Sequence, residues 1–176
     1  MSNAYDTYAK VKRVHPAAKL PVYATAGAAA ADVCTISDKR VVINPGCSAV
    51  FDTGLQFAIA PGYELKAFSR SGHGFKSGIR LSNCTGILDS DYRGNLLVKL
   101  HNDSDTAFFV EPFERICQVQ IKEAVQYPFF EVLELDVTAR GDAGFGSTGR
   151  TDLVATGQHQ HTVDGSHSHS FSLGIS

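Results

Sequence analysis

An aspartate that directly follows apolar residues is the first sign of chemistry in this sequence. In the stretch GILDSDYRG, residues 86–94, Asp89 comes after Ile87 and Leu88, and Tyr92 follows it. The apolar neighbours predict a partly desolvated pocket around the Asp89 carboxylate, and such a carboxylate can act as a general base toward water. The stretch is also rich in turn-forming residues, so a plain β-turn is the alternative interpretation.

Two further stretches carry groups that bind anions or hold water. In SRSGHGFKSG, Arg70 offers planar donors that match phosphate oxygens, and Ser71 and Gly72 add a hydroxyl and an open backbone N–H. In RICQVQI, the glutamines lie on the face opposite the apolar residues. A surface loop and a half-buried strand are the respective alternatives. The strand interpretation suffices for Gln120, whereas Gln118 has a chemical role only if it faces a pocket.

A glycine-rich strip near the end of the chain is the fourth candidate. RGDAGFGSTGR, residues 140–150, holds four glycines among eleven residues, with an arginine at each end. Ordering so many glycines is entropically costly. The strip is therefore a disordered tail, a phosphate loop, or an arm that orders when a ligand binds. A phosphate loop of the G-x-x-x-x-G-K-[ST] type is excluded, because the strip has no lysine and no helix follows it.

Short β-strands must position these groups. Apolar residues alternate with polar ones, and Gly, Pro and Asn turns such as NPG and PG separate the runs, which lie at 41–43, 49–53, 55–59, 63–67, 96–101 and 117–121. Helical spacing is nowhere sustained over three turns, although a short helical turn fits residues 71–78. Residues 1–19 are predicted to be an irregular lead-in. The fold class is all-β, as a sandwich, a jelly roll or a barrel.

Composition narrows the class of protein. The chain has 176 residues, enough for one domain with a core, and its net charge of -2 predicts no general affinity for nucleic acid. It has neither an apolar run long enough to cross a membrane nor the apolar core of a signal peptide, so we predict no membrane association and a cytoplasmic location. Four scattered cysteines without C-x-x-C spacing predict reduced core thiols and no zinc site.

Taken in order, the candidate stretches resemble the five motifs of the trimeric dUTPase family. They are ATAGAAAADV at 24–33, RSGHGFKSGI at 70–79, GILDSDYRG at 86–94, ERICQ at 114–118 and RGDAGFGSTG at 140–149. The resemblance implies a jelly-roll-like β fold of the β-clip type and a homotrimer with active sites at subunit interfaces. It implies hydrolysis of dUTP to dUMP and pyrophosphate with Mg²⁺ on the triphosphate, which limits uracil incorporation into DNA and supplies dUMP for dTMP synthesis.

The resemblance also implies roles for the nucleoside-binding residues. Asp89 would activate the water that attacks the α-phosphorus and would hold the sugar 3′-hydroxyl. Tyr92 would pack under the deoxyribose, where a 2′-hydroxyl would clash, so that UTP is rejected. The uracil edge and the position of a 5-methyl group would be recognised by Asn83 and by the backbone at Gly86, Ile87 and Leu88.

The remaining roles concern the phosphates, the metal and the arm. Arg70, Ser71, Gly72 and Gln118 would hold the phosphates and the catalytic water, and Asp32 would reach the metal through water. The glycine strip would be an arm that closes over the nucleotide, usually in a neighbouring subunit, through Arg140, Phe145, Gly146, Ser147 and Thr148. Phe145 would stack on uracil. Three positions depart from the family pattern, because Ala30, Ser69 and Phe113 stand where glycine, proline and glycine are usual.

Two other function classes stay open. A dCTP deaminase of the same fold would need a glutamate as proton shuttle where this chain has Asp89. A nucleotide-gated trimer that binds a regulatory protein, or a purely structural trimer, would not need the complete set of Asp89, Gln118 and the arm.

The predicted domain organisation is a β core at 1–139, the arm at 140–150 and an appendage at 151–176. The appendage resembles the His-x-His repeats of bacteriophage tail-fibre tips, which indicates a phage source. In a trimer, each His-x-His pair would supply six imidazoles, suited to an octahedral ion such as Fe²⁺ or Ni²⁺; the pairs are His159 with His161 and His167 with His169. A disordered, solvated tail is the alternative.

Overall fold

The computed structural model describes residues 9–144, in which β-strands dominate and one short helix is present. The strands are β1 Lys10–Arg13, β2 Ala31–Cys34, β3 Val41–Ile43, β4 Ser48–Ala58, β5 Tyr63–Phe68, β6 Ile79–Leu81, β7 Thr85–Leu88, β8 Asn95–Asn102, β9 Phe108–Val110 and β10 Arg115–Glu123. The helix α1 spans Ser71–Ser77. The predicted all-β class and the short helical turn are confirmed. No helix of this part of the chain is long and apolar enough to cross a membrane.

The strands form two open four-stranded sheets and one two-stranded sheet. The strand orders are β1-β4-β8-β6, β2-β10-β5-β7 and β3-β9, and every pairing is antiparallel. Alternate side chains from both large sheets make the core, including Leu55, Leu100, Leu65 and Val119. Because the sheets do not close on themselves, the barrel among the sequence-based alternatives is excluded for the described residues.

The two apolar runs at 49–53 and 55–59 belong to a single strand, β4. Its pairing register with β8 shifts between Asp52 and Gln56, and Gly54 lies within that shift with a φ of +64°. A Cβ atom at Gly54 would lie 2.9 Å from the Cβ of His15. Glycine is therefore needed there both for the left-handed backbone and for the close approach of the neighbouring chain segment.

The prediction that residues 1–19 are irregular was wrong, because β1 lies within them and pairs with β4 along Lys10–Arg13. Its sequence KVKR is an exposed edge strand in which Val11 is half-buried, so it carries no apolar alternation. The short strands β2, β6, β7 and β9 also escaped prediction, since three or four residues are too few to show a period of two.

The cysteines were predicted to lie in the core, but not all of them do. Cys117 is buried, and burial raises the pKa of its thiol to about 12. Cys47 and Cys84 are exposed and Cys34 is half-buried, although all four are free thiols as predicted. The two exposed cysteines lie next to turns, where the chain has left the core.

The chain divides into two compact units, Met1–Pro128 and Phe129–Ser176. The first holds all the strands and the helix that the structure describes. The described part of the second, residues 129–144, has turns but no strand or helix. Its large apolar side chains are strongly exposed, among them Phe129, Leu133 and Val137.

Candidate functional site

A buried aspartate organises the first group of predicted site residues. Asp32 on β2 is only 7% exposed and lies directly across from Gln118 on β10. Gln118 Nε2 donates to Asp32 Oδ1 at 3.0 Å, and Arg115 Nη1 donates to Oδ2 at 2.9 Å. Arg70 Nε lies 3.5 Å from Oδ1. Antiparallel pairing of β10 with β2 on one side and with β5 on the other thus brings residues of three candidate stretches together at Asp32.

Arg70 stands at the junction between β5 and α1. It occupies the N-cap position of α1, and its backbone is extended there. Its Nη1 donates to the Arg115 carbonyl at 3.0 Å. Ser71 and Gly72 follow as exposed residues of the first helical turn. Three of the predicted phosphate-binding residues are therefore adjacent, with the Arg70 guanidinium in contact with Asp32 and Arg115 and the exposed Ser71 and Gly72 beside it.

The donor set around Asp32 bears on metal binding. Its two oxygens already accept hydrogen bonds from Gln118 and Arg115, and two guanidinium groups offset its charge. Nowhere in residues 9–144 do three His, Cys, Asp or Glu side chains converge as a metal cluster would require. The described residues around Asp32 therefore do not offer a cation a set of direct side-chain ligands.

A second group of predicted residues lines a separate cavity of about 250 Å³. Six of the residues predicted to bind the nucleoside lie in its wall, namely Asn83, Gly86, Ile87, Leu88, Asp89 and Tyr92. A Cβ at Gly86 would lie 3.2 Å from the Cβ of Ala67 on the paired strand β5. Tyr92 is held by a hydrogen bond from its hydroxyl to the Asn95 carbonyl at 3.2 Å. A larger apolar cavity of about 730 Å³ contains none of the predicted site residues.

The prediction of a desolvated Asp89 is wrong for a single chain. Asp89 is exposed, and Ile87, expected to be buried, is 59% exposed. The reason is that β7 is the edge strand of its sheet, so one face and one side of it lie open. Burial of this carboxylate requires atoms from outside the described fold.

One chain does not bring the two predicted catalytic residues together. Gln118 on β10 is paired with Phe68 on β5, and Phe68 is paired with Thr85 on β7. Asp89 lies four residues after Thr85 along the chain. Strands lie about 4.8 Å apart and rise about 3.3 Å per residue, so Asp89 and Gln118 are on the order of 16 Å apart. A single water molecule cannot contact both side chains within one chain.

Part of the predicted arm lies in the described residues. Arg140 is exposed and donates from Nε to the Ala143 carbonyl at 3.0 Å. The other predicted arm residues and the tail histidines fall outside the described residues, namely Phe145, Gly146, Ser147, Thr148, His159, His161, His167 and His169.

Some residues around the site were not predicted. Arg115 escaped notice although it precedes Gln118 in the same motif, and its proximity to Asp32 depends on pairing between segments 83 residues apart. His73 and Glu114 form a second unpredicted pair, with Nε2 and Oε1 2.9 Å apart. Phe113 has a φ of +55°, a left-handed backbone that favours glycine and accounts for the glycine usual at this position in the family.

Comparison with known proteins identifies the family. The dUTPase family model matches residues 17–149. The deoxyuridine 5′-triphosphate nucleotidohydrolase of Bordetella avium is 44% identical over 133 residues, covering 75% of this chain and 89% of the relative. That of Nautilia profundicola is 45% identical over 141 residues, covering 80% and 98%.

Solved structures agree with this assignment. The dUTPase of Staphylococcus bacteriophage 80alpha with dUpNHpp matches with a TM-score of 0.74 and 27% identity, over 82% of this chain and 99% of that one. A D95N variant of the phage phi11 dUTPase, at 20% identity and a TM-score of 0.65 over 74% and 99% of the two chains, shares the fold. With its all-β, jelly-roll-like fold and five motifs in order, the chain belongs to the dUTPase family.

Proposed function

We propose that this protein hydrolyses dUTP to dUMP and pyrophosphate through the residues assembled above. The observation that supports it most is that a chain of the dUTPase family gathers six of the predicted nucleoside-binding residues in one cavity. Removal of dUTP would limit uracil incorporation into DNA, and the dUMP formed would supply dTMP synthesis.

The cavity beside β7 is proposed to select deoxyuridine. The Asn83 amide and the backbone around Gly86 offer donors and acceptors to the uracil edge, and the missing Cβ of Gly86 keeps β7 close to β5. The ring of Tyr92, held through Asn95, would lie against the sugar and exclude a 2′-hydroxyl. Selection against UTP and dTTP is thus proposed to result from the shape of this cavity.

The chemical step is assigned to Asp89. Its carboxylate would accept a proton from water as the water oxygen attacks the α-phosphorus. The bond from the α-phosphorus to the oxygen that bridges to the β-phosphorus then breaks, and pyrophosphate leaves with that oxygen. Arg70, Ser71 and Gly72 would hold the phosphates, and Gln118 would orient the water.

Mg²⁺ is proposed to enter as part of the substrate. The phage phi11 dUTPase coordinates a structural Mg(II) ion, and the described residues of this chain lack a cluster that would hold one by side chains alone. Asp32, which Arg70 and Arg115 flank, would contact the hydration shell of an ion bound to the triphosphate. When present, the ion offsets phosphate charge.

The assembly is proposed to be a homotrimer with active sites between chains. Two observations support it. Asp89 and Gln118 are too far apart within one chain to share a water, and large apolar side chains such as Phe129, Leu133 and Val137 are almost fully exposed in the single chain. Such exposure is typical of surfaces that another subunit covers.

Mixing two inactive variants tests this assembly. Arg70 shares Asp32 with Gln118, so we expect Arg70→Ala and Asp89→Asn to damage halves of the site that come from different chains. Unfolded together and refolded as mixed trimers, they should regain activity in about one quarter of sites, because each contributing chain is intact half of the time. The same variants refolded separately are the controls, and a mixture no more active than they are would place both residues in one chain.

A substrate panel tests the activity. With Mg²⁺ present, we expect pyrophosphate release from dUTP and little from dCTP, dTTP or UTP. The Asn83 amide and the neighbouring backbone would reject the cytosine edge, and the cavity would exclude a 5-methyl group and a 2′-hydroxyl. Ammonia is measured in the same dCTP samples. Ammonia from dCTP would establish the deaminase alternative, and binding of dUTP without hydrolysis would favour the nucleotide-gated alternative.

Further predictions extend beyond the described residues. The division into a core at 1–139, an arm at 140–150 and an appendage at 151–176 stays a proposal, as do the cytoplasmic location and metal binding by the tail histidines. Phage dUTPases are described as controlling the transfer of virulence genes by a G protein-like mechanism. On that likeness alone, we propose second that this chain also binds a regulatory protein.

A further inference from the structure

A buried histidine beside Arg70 has no role in the reaction described so far. His73 is the buried residue of α1, and its ring packs edge to face on Phe108 at a centroid distance of 5.4 Å. Its Nδ1 is buried without a hydrogen-bond partner among the described residues. Its other ring nitrogen, Nε2, lies 2.9 Å from Glu114 Oε1 and 3.3 Å from Arg70 Nη1.

One ring nitrogen cannot serve both neighbours. To bond Arg70, Nε2 would have to accept a hydrogen, whereas to bond Glu114 it must donate one. The contact with the carboxylate is shorter and charge-assisted, so it selects the form with a proton on Nε2. Glu114 is itself fixed, because its Oε2 accepts the Glu111 backbone N–H at 2.7 Å.

This arrangement determines where the Arg70 guanidinium can lie. With the Nε2 proton directed to Glu114, Arg70 Nη1 donates to the Arg115 carbonyl, Nε faces Asp32, and the imidazole ring closes the remaining side. Arg70 Nε is buried without a hydrogen-bond partner among the described residues, because its contact with Asp32 at 3.5 Å is an ion pair only. A guanidinium held on three sides is pre-organised to offer its remaining donors to a phosphate oxygen.

We propose that His73, oriented by Glu114, is a positioning residue that aligns Arg70 for the triphosphate. The inference rests on the proposed function, in which Arg70 binds the substrate phosphates. His73 itself does not touch the substrate. Its effect should therefore appear in the binding of phosphates and not in the binding of the nucleoside.

Three substitutions separate positioning from packing. His73→Gln keeps a donor close to the place of Nε2, His73→Asn keeps a polar group near Nδ1 only, and His73→Leu keeps apolar bulk against Phe108. We expect the Leu and Asn variants to bind dUpNHpp about tenfold more weakly, and the Gln variant to stay within about threefold of the parent protein. Deoxyuridine, which has no phosphate, should bind all of them within about twofold of the parent protein. Calorimetric titration of the trimer measures both ligands.

A double-mutant cycle with Arg70→Ala shows whether the effect passes through Arg70. Arg70→Ala should weaken dUpNHpp binding, and adding His73→Leu to it should cause no further loss. Equal weakening of deoxyuridine and dUpNHpp, no rescue by Gln, or additive losses in the double variant would overturn the positioning role. If Arg70→Ala binds dUpNHpp normally, the proposed phosphate contact fails and the inference with it. Should the Leu variant not fold, the contrast between Gln and Asn carries the same test.

Discussion

Replacing Asp89 by asparagine should lower kcat for dUTP hydrolysis by about 10²–10⁴-fold, the usual effect of losing a general base. Asparagine has nearly the same shape as aspartate but cannot accept the proton of the attacking water. Within the described residues the Asp89 side chain makes no hydrogen bond to the protein, so the substitution removes no contact that holds the fold. We therefore expect the affinity for dUpNHpp to stay within about threefold of the parent protein.

The neighbouring carboxylate provides a matched control. Asp91 is also exposed but does not line the nucleoside cavity, so Asp91→Asn should keep near-native kcat. Both variants are assayed by pyrophosphate release at saturating dUTP. Near-native kcat in Asp89→Asn would show that Asp89 is not the base, and a comparable loss in Asp91→Asn would show that the effect is not specific to Asp89.

Truncation after Ala139 should leave a folded trimer that turns over dUTP about 10²-fold or more slowly, the scale of loss when reacting groups are misaligned. Among residues 9–144, the last strand, β10, ends at Glu123, and every buried core residue precedes that point. The truncation therefore leaves the packing of the described core in place. What it removes is the predicted arm, which would exclude water and align the triphosphate over the site.

Two other variants separate the arm from the appendage. Truncation after Arg150 removes the appendage and keeps the arm, and it should preserve turnover. Phe145→Ala should cause a smaller loss than the full truncation, because one stacking contact contributes about 1–3 kcal/mol. Size-exclusion chromatography with light scattering confirms the trimer in each case. Full activity after truncation at Ala139 would remove the arm from the mechanism.

The local alternation of apolar and polar residues was sufficient to predict a strand wherever that strand was long and half-buried. The alternation in β4, β5, β8 and β10 could be recognised from the sequence because side-chain direction in a strand depends only on position along it. The strand β1 shows the limit of this rule. It is held to β4 by backbone hydrogen bonds, and its Lys and Arg side chains are exposed, so its residue types do not reveal the pairing.

The sequence by itself determined the chemistry, namely which carboxylate, guanidinium and amide groups are present and in which order, together with the all-β class. The tertiary structure decided which of these groups meet. It joined Asp32 to Arg115 and Gln118 across paired strands, placed Asp89 on an open edge far from Gln118, and set His73 against Arg70. The reason is physical: strand register and sheet edges result from pairing between distant segments, and the free energy of that pairing depends on the whole sheet and not on local residue types.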